Sequence, residues 1–317
     1  MKKYLYSLIT LCVTTMAFVS CGSDEVTPGP SETDMWLHPY GASSADQALQ
    51  AQFYAKNKIY LLFNDTLRKQ QVATNPDGTP FYDMETIDLT YYLIGSSSYL
   101  NEEFTYEYLQ TDADKQAATA FVQDQVLPCL SGDLLPFSIL LVNKINQYSR
   151  QYSYQSMTRT NPIVYAGYRC TAIAAEGIAE MSQQQKITAR NNILKAIINN
   201  KMSALPADAF DEFYSYCNAY YSTYALYDAA VAFFAEHPTP MDIGLLDNSV
   251  SYYAWRTSGS LIMYNIAAKN YDLQDYTNAV FTYSDAEFEA KYGQYPIVMT
   301  KFKLLKQIFA QLGVTVD

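Results

Sequence analysis

This chain is short of the side chains that most hydrolytic and metal chemistry needs. Of its 317 residues only two are histidine, His38 in Trp36-Leu-His-Pro-Tyr40 and His237 immediately before Pro238. Neither belongs to H-E-x-x-H, where two His one helical turn apart bind zinc and a Glu activates its water. Their expected roles are a surface His and a His that caps a helix; a metal site would have to bring both together with an acid. There is no G-x-S-x-G elbow, so a Ser-His-Asp triad would also depend on one of these two. The phosphate-cradling patterns G-x-x-x-x-G-K-[ST] and G-x-G-x-x-G are missing too. Basic residues are scarce, 21 against 32 acidic, for a formal charge of −11. That balance excludes a nucleic-acid partner, which requires a positive footprint to displace counterions.

Cysteine is equally sparse. Beyond Cys12 and Cys21 there remain Cys129, Cys170 and Cys217, too widely spaced for a C-x-x-C metal knuckle or a disulfide framework. One bridged pair and three free thiols both stay open. Carboxylates are plentiful: Glu102-Glu103, Asp112 with Asp114, Glu176 with Glu180, and Asp285 with Glu287 and Glu289. Two acids held at the right separation would serve glycoside hydrolysis. Glu176 and Glu180 would share a face if residues 174–182 were helical, but like charges at that spacing usually mark a solvated surface. Asp242, Asp247 and Asn248 lack the D-x-[DN]-x-[DN]-G spacing of a calcium loop.

What the chain does have is tyrosine, 30 residues of it. Its flat apolar face and polar tip suit glycan stacking and protein interfaces, although a composition habit of the source is the commoner cause. The N-terminus is distinctive as well. Lys2 and Lys3 precede an apolar run from Leu5 to Val19 that ends at Phe18-Val19-Ser20-Cys21. The run is too short to span a bilayer and reads as a secretory signal. A Cys at the break resembles a bacterial lipobox, which makes residues 1–20 a lipoprotein signal peptide and Cys21 the lipidated first residue of the mature chain. Loss of Lys2 and Lys3 leaves 19 basic residues against 32 acidic ones, a formal charge of −13, so attachment to the membrane would rest on the lipid rather than on a basic patch. Residues 21–33 are small, acidic and Pro-containing, a flexible tether. Residues 34–317 form the domain, large enough for an ample core.

Along the domain, Ser44–Asn57 has helical spacing with Ala48, Ala51, Phe53 and Tyr54 toward one face. Lys58–Asn64 reads as a buried strand, and Asn75-Pro-Asp-Gly-Thr-Pro80 as a turn. In Phe81–Ile94, residues Ile87, Leu89, Tyr91 and Leu93 alternate as in a strand. A helix is predicted over Asp112–Val126, ending near Pro128, and strands over Phe137–Val142 and Ile163–Ala174. Helices are predicted over Ser182–Leu205, where Ile187, Ile193, Leu194, Ile197 and Ile198 fall on one face. Pro206–Phe234, Asn248–Ala268 and Ser284–Leu312 are expected to add further helices. Strands early and helices late predict an α+β fold rather than alternating βαβ units. No fixed-period repeat is present.

With these segments in order, the chain resembles the Bacteroidetes lipoproteins described as substrate import-associated zinc metallohydrolases, or zinc-binding metallopeptidases. The resemblance rests on Cys21 with Ser23-Asp24-Glu25, on Phe53-Tyr54-Ala-Lys-Asn-Lys-Ile59-Tyr60-Leu-Leu-Phe63-Asn64, and on Lys303 to Asp317, a last helix running into a G-[IV]-x-[IV]-D tail. It covers most of the domain, by motifs of moderate specificity. It implies a zincin-like single domain on a helix that carries H-E-x-x-H. Here the corresponding stretch is Ile193 to Pro206, where Asn199 and Ser203 stand for the two His and Asn200 for the Glu. Neither Asn nor Ser is a good zinc ligand, and Asn200 cannot take a proton from water. The third ligand of the family has no evident counterpart.

The resemblance therefore implies a scaffold with no catalytic residues, metal or other cofactor, anchored by its lipid in the outer membrane and facing the cell surface. It would assist a TonB-dependent porin and its substrate-binding lipoprotein in taking up a glycan or peptide. A hydrolase using a carboxylate pair and a helical substrate-binding partner of the porin are the alternatives. Asp65-Thr66-Leu67 additionally resembles an O-glycosylation site of secreted Bacteroidetes proteins.

Overall fold

The computed structural model describes residues 32–87, 102–225, 232–246 and 253–316, apart from positions 151, 153, 168, 207, 223, 234, 238, 259, 260 and 267. Residues 1–31, with the signal, Cys21 and most of the tether, lie outside them, as do Leu89, Tyr91, Leu93, Asp247 and Asn248. No helix among the described residues is long and apolar enough to cross a membrane.

The fold is mixed α/β, with eight α-helices and four sheets among the described residues and with strands mainly in the first half. Its centre is a sheet of β1 (Tyr60–Leu62), β5 (Ser138–Val142), β9 (Thr171–Ala174) and β8 (Val164–Ala166), in that order. The first three run parallel and β8 closes the edge antiparallel to β9. Parallel strands covered on both faces read as continuous apolar runs, and Ser-Ile-Leu-Leu-Val of β5 is buried throughout. Alternate residues serve two cores. Leu61, Ile139, Leu141 and Ile173 join the larger one under the helices. Tyr60, Leu62, Leu140, Val142 and Ala172 join a smaller one with Trp36, Leu67, Ile87 and Ile145.

The larger core is roofed by α2 (Ser44–Asn57), α3 (Asp112–Phe121), α4 (Gln183–Ser203), α6 (Lys269–Thr282), α7 (Asp285–Tyr292) and α8 (Pro296–Leu312). On the other side α1 (Glu32–Leu37) brings in Trp36, so ordered helix reaches back into the expected tether. The hairpin β2 (Thr66–Thr74)–β3 (Pro80–Thr86) and the sheet β4 (Glu102–Glu107)–β6 (Lys144–Ser149)–β7 (Thr158–Thr160) lie outside the central sheet.

Several expectations need correction. Phe53 is buried as expected, but Ala48 and Ala51 are exposed, and α2 buries Asp46 and Gln50 in their place. Ile163–Ala174 is two strands, β8 and β9, and Ser284–Leu312 is two helices. Within Pro206–Phe234 the described residues give the short helix α5 (Asp211–Ser215), turns, the two-residue strand β10 (Tyr224–Ala225) and helical Ala232 and Phe233. Asn248–Ala268 contains the hairpin β11 (Tyr253–Ser258)–β12 (Leu261–Ile266), paired in register from Tyr253–Ile266 to Ser258–Leu261. Aromatic and β-branched residues on either side of Ser-Gly-Ser are a hairpin signal that outweighs helical spacing. The stretch Ala174–Ser182 is a turn rather than a helix, so Glu176 and Glu180 share no helical face; Glu176 pairs with Lys144 at 2.8 Å.

Two local devices carry measurable consequences. Ser43 caps α2 in a reciprocal box with Asp46, whose carboxylate also meets Lys115 of α3 at 2.6 Å, with both side chains largely buried. Burial pushes the Asp46 carboxyl up, but the bonds from Lys115 and Ser43 outweigh it and hold the group below its ordinary value. A depressed native pKa contributes stability that is present above the unfolded pKa of about 4 and is lost as pH falls through the native value. Asp46→Asn should therefore lower stability at pH 7 and flatten the loss on acidification below about pH 4 in urea titrations. At the other end of the fold Gly313 ends α8 with φ 103°, and Val314 bridges Leu130. A Cβ on Gly313 would sit 2.4 Å from the Ser131 carbonyl oxygen, a backbone atom that cannot swing away. Gly313→Ala should cost about 2 kcal/mol or more, read as a lowered urea midpoint.

Candidate functional site: a cationic cleft at the end of helix α4

Helix α4 starts where the sequence says it should. Ser182 accepts from the Gln185 amide, and Gln185 bonds back to the Ser182 amide. Ala189, Ile193, Leu194, Ile197 and Ile198 then bury its face against the larger core. Its last turns run beside edge strand β8, where the Asn200 side-chain amide donates to the Ala166 carbonyl at 3.0 Å. An edge strand leaves backbone groups unpaired, and Asn200 takes up one of them.

Between the end of α4, the β8–β9 turn and the segment before β5 opens a cleft of about 330 Å³. Ile197, Asn200, Lys201 and Ala204 line it from α4 and its C-cap, Asp133 to Phe137 from the turn before β5, and Ala166, Gly167, Arg169, Cys170 and Thr171 from the β8–β9 side. The turn is held by Gly167 N–H to Cys170 O at 3.0 Å and by the Ser138 hydroxyl donating to Arg169 O at 2.9 Å.

The aromatic wall is fixed from behind. Phe137 is 51% exposed, yet its ring packs edge-on against Trp36 at 5.0 Å and tilted against Tyr60 at 5.0 Å. Tyr60 stacks in turn on Tyr54 at 4.7 Å. The Arg169 guanidinium lies 4.9 Å from the Trp36 ring and meets Glu85 through one nitrogen at 3.3 Å. Lys201 stands 4.0 Å from Asp133, whose side chain is 93% exposed, so that pair is loose. Cys170 also lines the cleft, but burial pushes its thiol up to about 12; it stays protonated and is no nucleophile.

Of the three positions singled out in the sequence, Asn200 lines the cleft, while Asn199 and Ser203 are exposed and outside its lining. The Ser203 hydroxyl bonds back to Asn200 O at 2.7 Å. From α4 and its C-cap, Ile197, Asn200, Lys201 and Ala204 face the cleft. None of the four suits zinc: the Ile197 and Ala204 side chains have no donor atom, Asn200 is neutral and already bonded, and the Lys201 ammonium would repel a cation. Among the described residues no group of three His, Cys, Asp or Glu is placed to hold a metal ion. His38 is exposed, and His237 packs between the rings of Phe233 and Tyr220 at 4.9 and 5.9 Å.

The acidic pairs are spread over the surface. Glu102 accepts from Gln147, Asp114 caps α3 with Thr111, Glu287 caps α7 with Ser284, Asp285 pairs with Lys306, and Asp242 caps a 3₁₀ turn with Thr239. None of them lines the cleft. Cys129, Cys170 and Cys217 are free thiols.

A second cluster went unnoticed in the sequence. Lys301 of α8 is wholly buried, and its three N–H bonds go to Asp272 Oδ2 at 2.5 Å, Gly244 O at 3.0 Å and Cys217 Sγ at 3.2 Å. The rings of Phe213 and Tyr276 each lie 4.5 Å from the ammonium. Tyr221 also donates to Asp272, and Tyr276 to Gly244 O at 2.9 Å. Burial pushes the Asp272 carboxyl up, opposed by Lys301 and Tyr221. With Lys301, Asp272, Cys217, Phe213 and Tyr276 all buried, this cluster ties α6, α8 and the segments carrying Cys217 and Gly244 into one unit.

No protein-family profile, curated protein or solved structure matches this chain.

Proposed function

We propose that the protein is a surface-exposed outer-membrane lipoprotein, anchored through Cys21, that captures a nutrient for a TonB-dependent porin and its substrate-binding lipoprotein. In this reading the domain is a zincin-like metallohydrolase scaffold without its metal, and the cleft at the end of α4 has become a binding site. The observation that supports it is the cleft beside the end of α4, where Ile197, Asn200, Lys201 and Ala204 supply no zinc ligand and no general base. Of the positions Asn199, Asn200 and Ser203 that the resemblance implies, Asn200 lines the cleft. What remains is a shape with an exposed, fixed aromatic ring, Phe137, and polar side chains around it, which is the make-up of a sugar-binding site rather than of a catalytic centre.

The test uses the chain from Cys21 onward, bearing Ser in place of Cys21, against oligosaccharide panels by calorimetry. The reading expects binding that persists in chelator and weakens about tenfold in Phe137→Ala, as befits loss of one aromatic anchor. Absence of binding across the panels, or turnover of the bound sugar or of peptides, would remove it.

A further inference from the structure

We infer that the ligand of this cleft carries carboxylates, and that it is a uronate-containing glycan. The inference rests on the binding reading above and names the chemistry of its ligand. The chain as a whole is strongly acidic, at −11. Two cations, Arg169 and Lys201, line the cleft with one carboxylate, Asp133, which is almost wholly solvated at the rim, while Glu85 meets Arg169 from outside the lining. Screening limits the reach of the remaining surface charge to about 8 Å in physiological salt, so a ligand inside the cleft responds to the two cations near it.

Neither cation is spent in the fold. Lys201 reaches Asp133 only at 4.0 Å, and Arg169 gives one nitrogen to Glu85 at 3.3 Å, at a partly exposed position. The guanidinium keeps further donors for a second carboxylate, and the Trp36 ring and Glu85 hold it in one orientation, the condition for planar, two-point recognition. Lys201 supplies a point charge on the opposite, α4 side. The Asn200 side chain uses its amide on Ala166, so its carbonyl is left to accept a hydroxyl. Phe137, exposed but packed from behind by Trp36 and Tyr60, offers the flat face on which a pyranose ring lies. Cations beside a fixed aromatic plane and an amide acceptor match a sugar acid better than a neutral sugar, which would leave the charges unpaired. They also match it better than a bare anion, which would ignore the ring.

Calorimetry with the same soluble chain decides it. The probes are oligomers of galacturonate, glucuronate and mannuronate, each beside its fully methyl-esterified form, which keeps the ring and removes the charge. At least one acid should bind about tenfold or more tighter than its ester, the scale of a lost charge-assisted contact. Arg169→Met and Lys201→Met should each erase most of that preference, weakening acid binding far more than ester binding, and Phe137→Ala should weaken acid and ester alike. Both cations sit in partly exposed positions, and urea midpoints close to that of the parent chain are the check on folding.

Esters that bind as well as acids, or a preference that survives the Arg169→Met/Lys201→Met double variant, would overturn the inference and leave the binding reading standing. Neutral glycans bound in preference would do the same. If neither the sugars nor the peptides below bind, both fall together. Peptides with a free C-terminal carboxylate, compared with their amides, form the remaining arm; binding there and not to sugars would overturn the glycan assignment.

Discussion

Replacing Lys301 by Met is expected to destabilise the domain by about 3–5 kcal/mol, the cost of leaving a buried carboxylate without its counter-charge. Asp272 Oδ2 would keep only the Tyr221 hydroxyl, and Asp272 Oδ1 already has no hydrogen-bond partner among the described residues. Asp272→Asn should cost a similar amount, because it strands an ammonium whose environment was built for three acceptors and two ring faces. The two losses should not add. With both charges gone, as in Lys301→Met with Asp272→Leu, much of the single-mutant deficit should be recovered, since apolar replacements of buried pairs are often neutral or better. Urea denaturation of the four proteins measures this directly. Single-variant losses below about 1 kcal/mol would mean the pair is not buried as described.

The second large effect concerns the anchor. Cys21→Ser should move the protein from the membrane fraction to the soluble fraction almost completely, and should remove it from digestion by protease added to intact cells. One acyl chain binds a membrane only marginally, and several make the anchoring stable, at about 0.8 kcal/mol for each buried CH₂. With no helix among the described residues fit to cross a bilayer and an acidic chain, nothing else described here would hold it there. Fractionation with detergent-phase partitioning checks the first claim. A membrane fraction unchanged by the substitution would contradict the lipoprotein reading.

How much of this was legible in the sequence depended on whether the signal was local. Helix α4 was legible because its cap and its apolar stripe both lie within one segment: Ser182 with Gln185, then Ile193, Leu194, Ile197 and Ile198. Strand β5 was legible because a short all-apolar run is what a doubly covered parallel strand requires. The β11–β12 hairpin was misread where spacing was weighed above β-branched and aromatic content. Helix α6 was missed although Tyr276, Ala279 and Val280 mark its buried face.

The buried cluster shows a different limit. Lys301 looks like one of three cations on an amphipathic helix with Lys303 and Lys306. Only its place on the stripe of Val298, Phe302, Leu305 and Phe309 sets it apart, and Asp272 falls likewise one turn before Tyr276. Sequence places each on an inner face; which partner it meets there is decided by the packing of α6 on α8. The cleft is non-local for the same reason. Phe137, Arg169 and Lys201 come from three separate segments, and no spacing rule joins them.

The central claim is that the cleft binds and does not catalyse through a metal. Zinc content of the purified soluble chain, measured together with cleavage of broad peptide libraries with and without chelator, tests it most directly. The account predicts zinc far below one ion per chain, no chelator-sensitive cleavage, and glycan binding that is the same in chelator. Stoichiometric zinc with hydrolysis that disappears in chelator would contradict it.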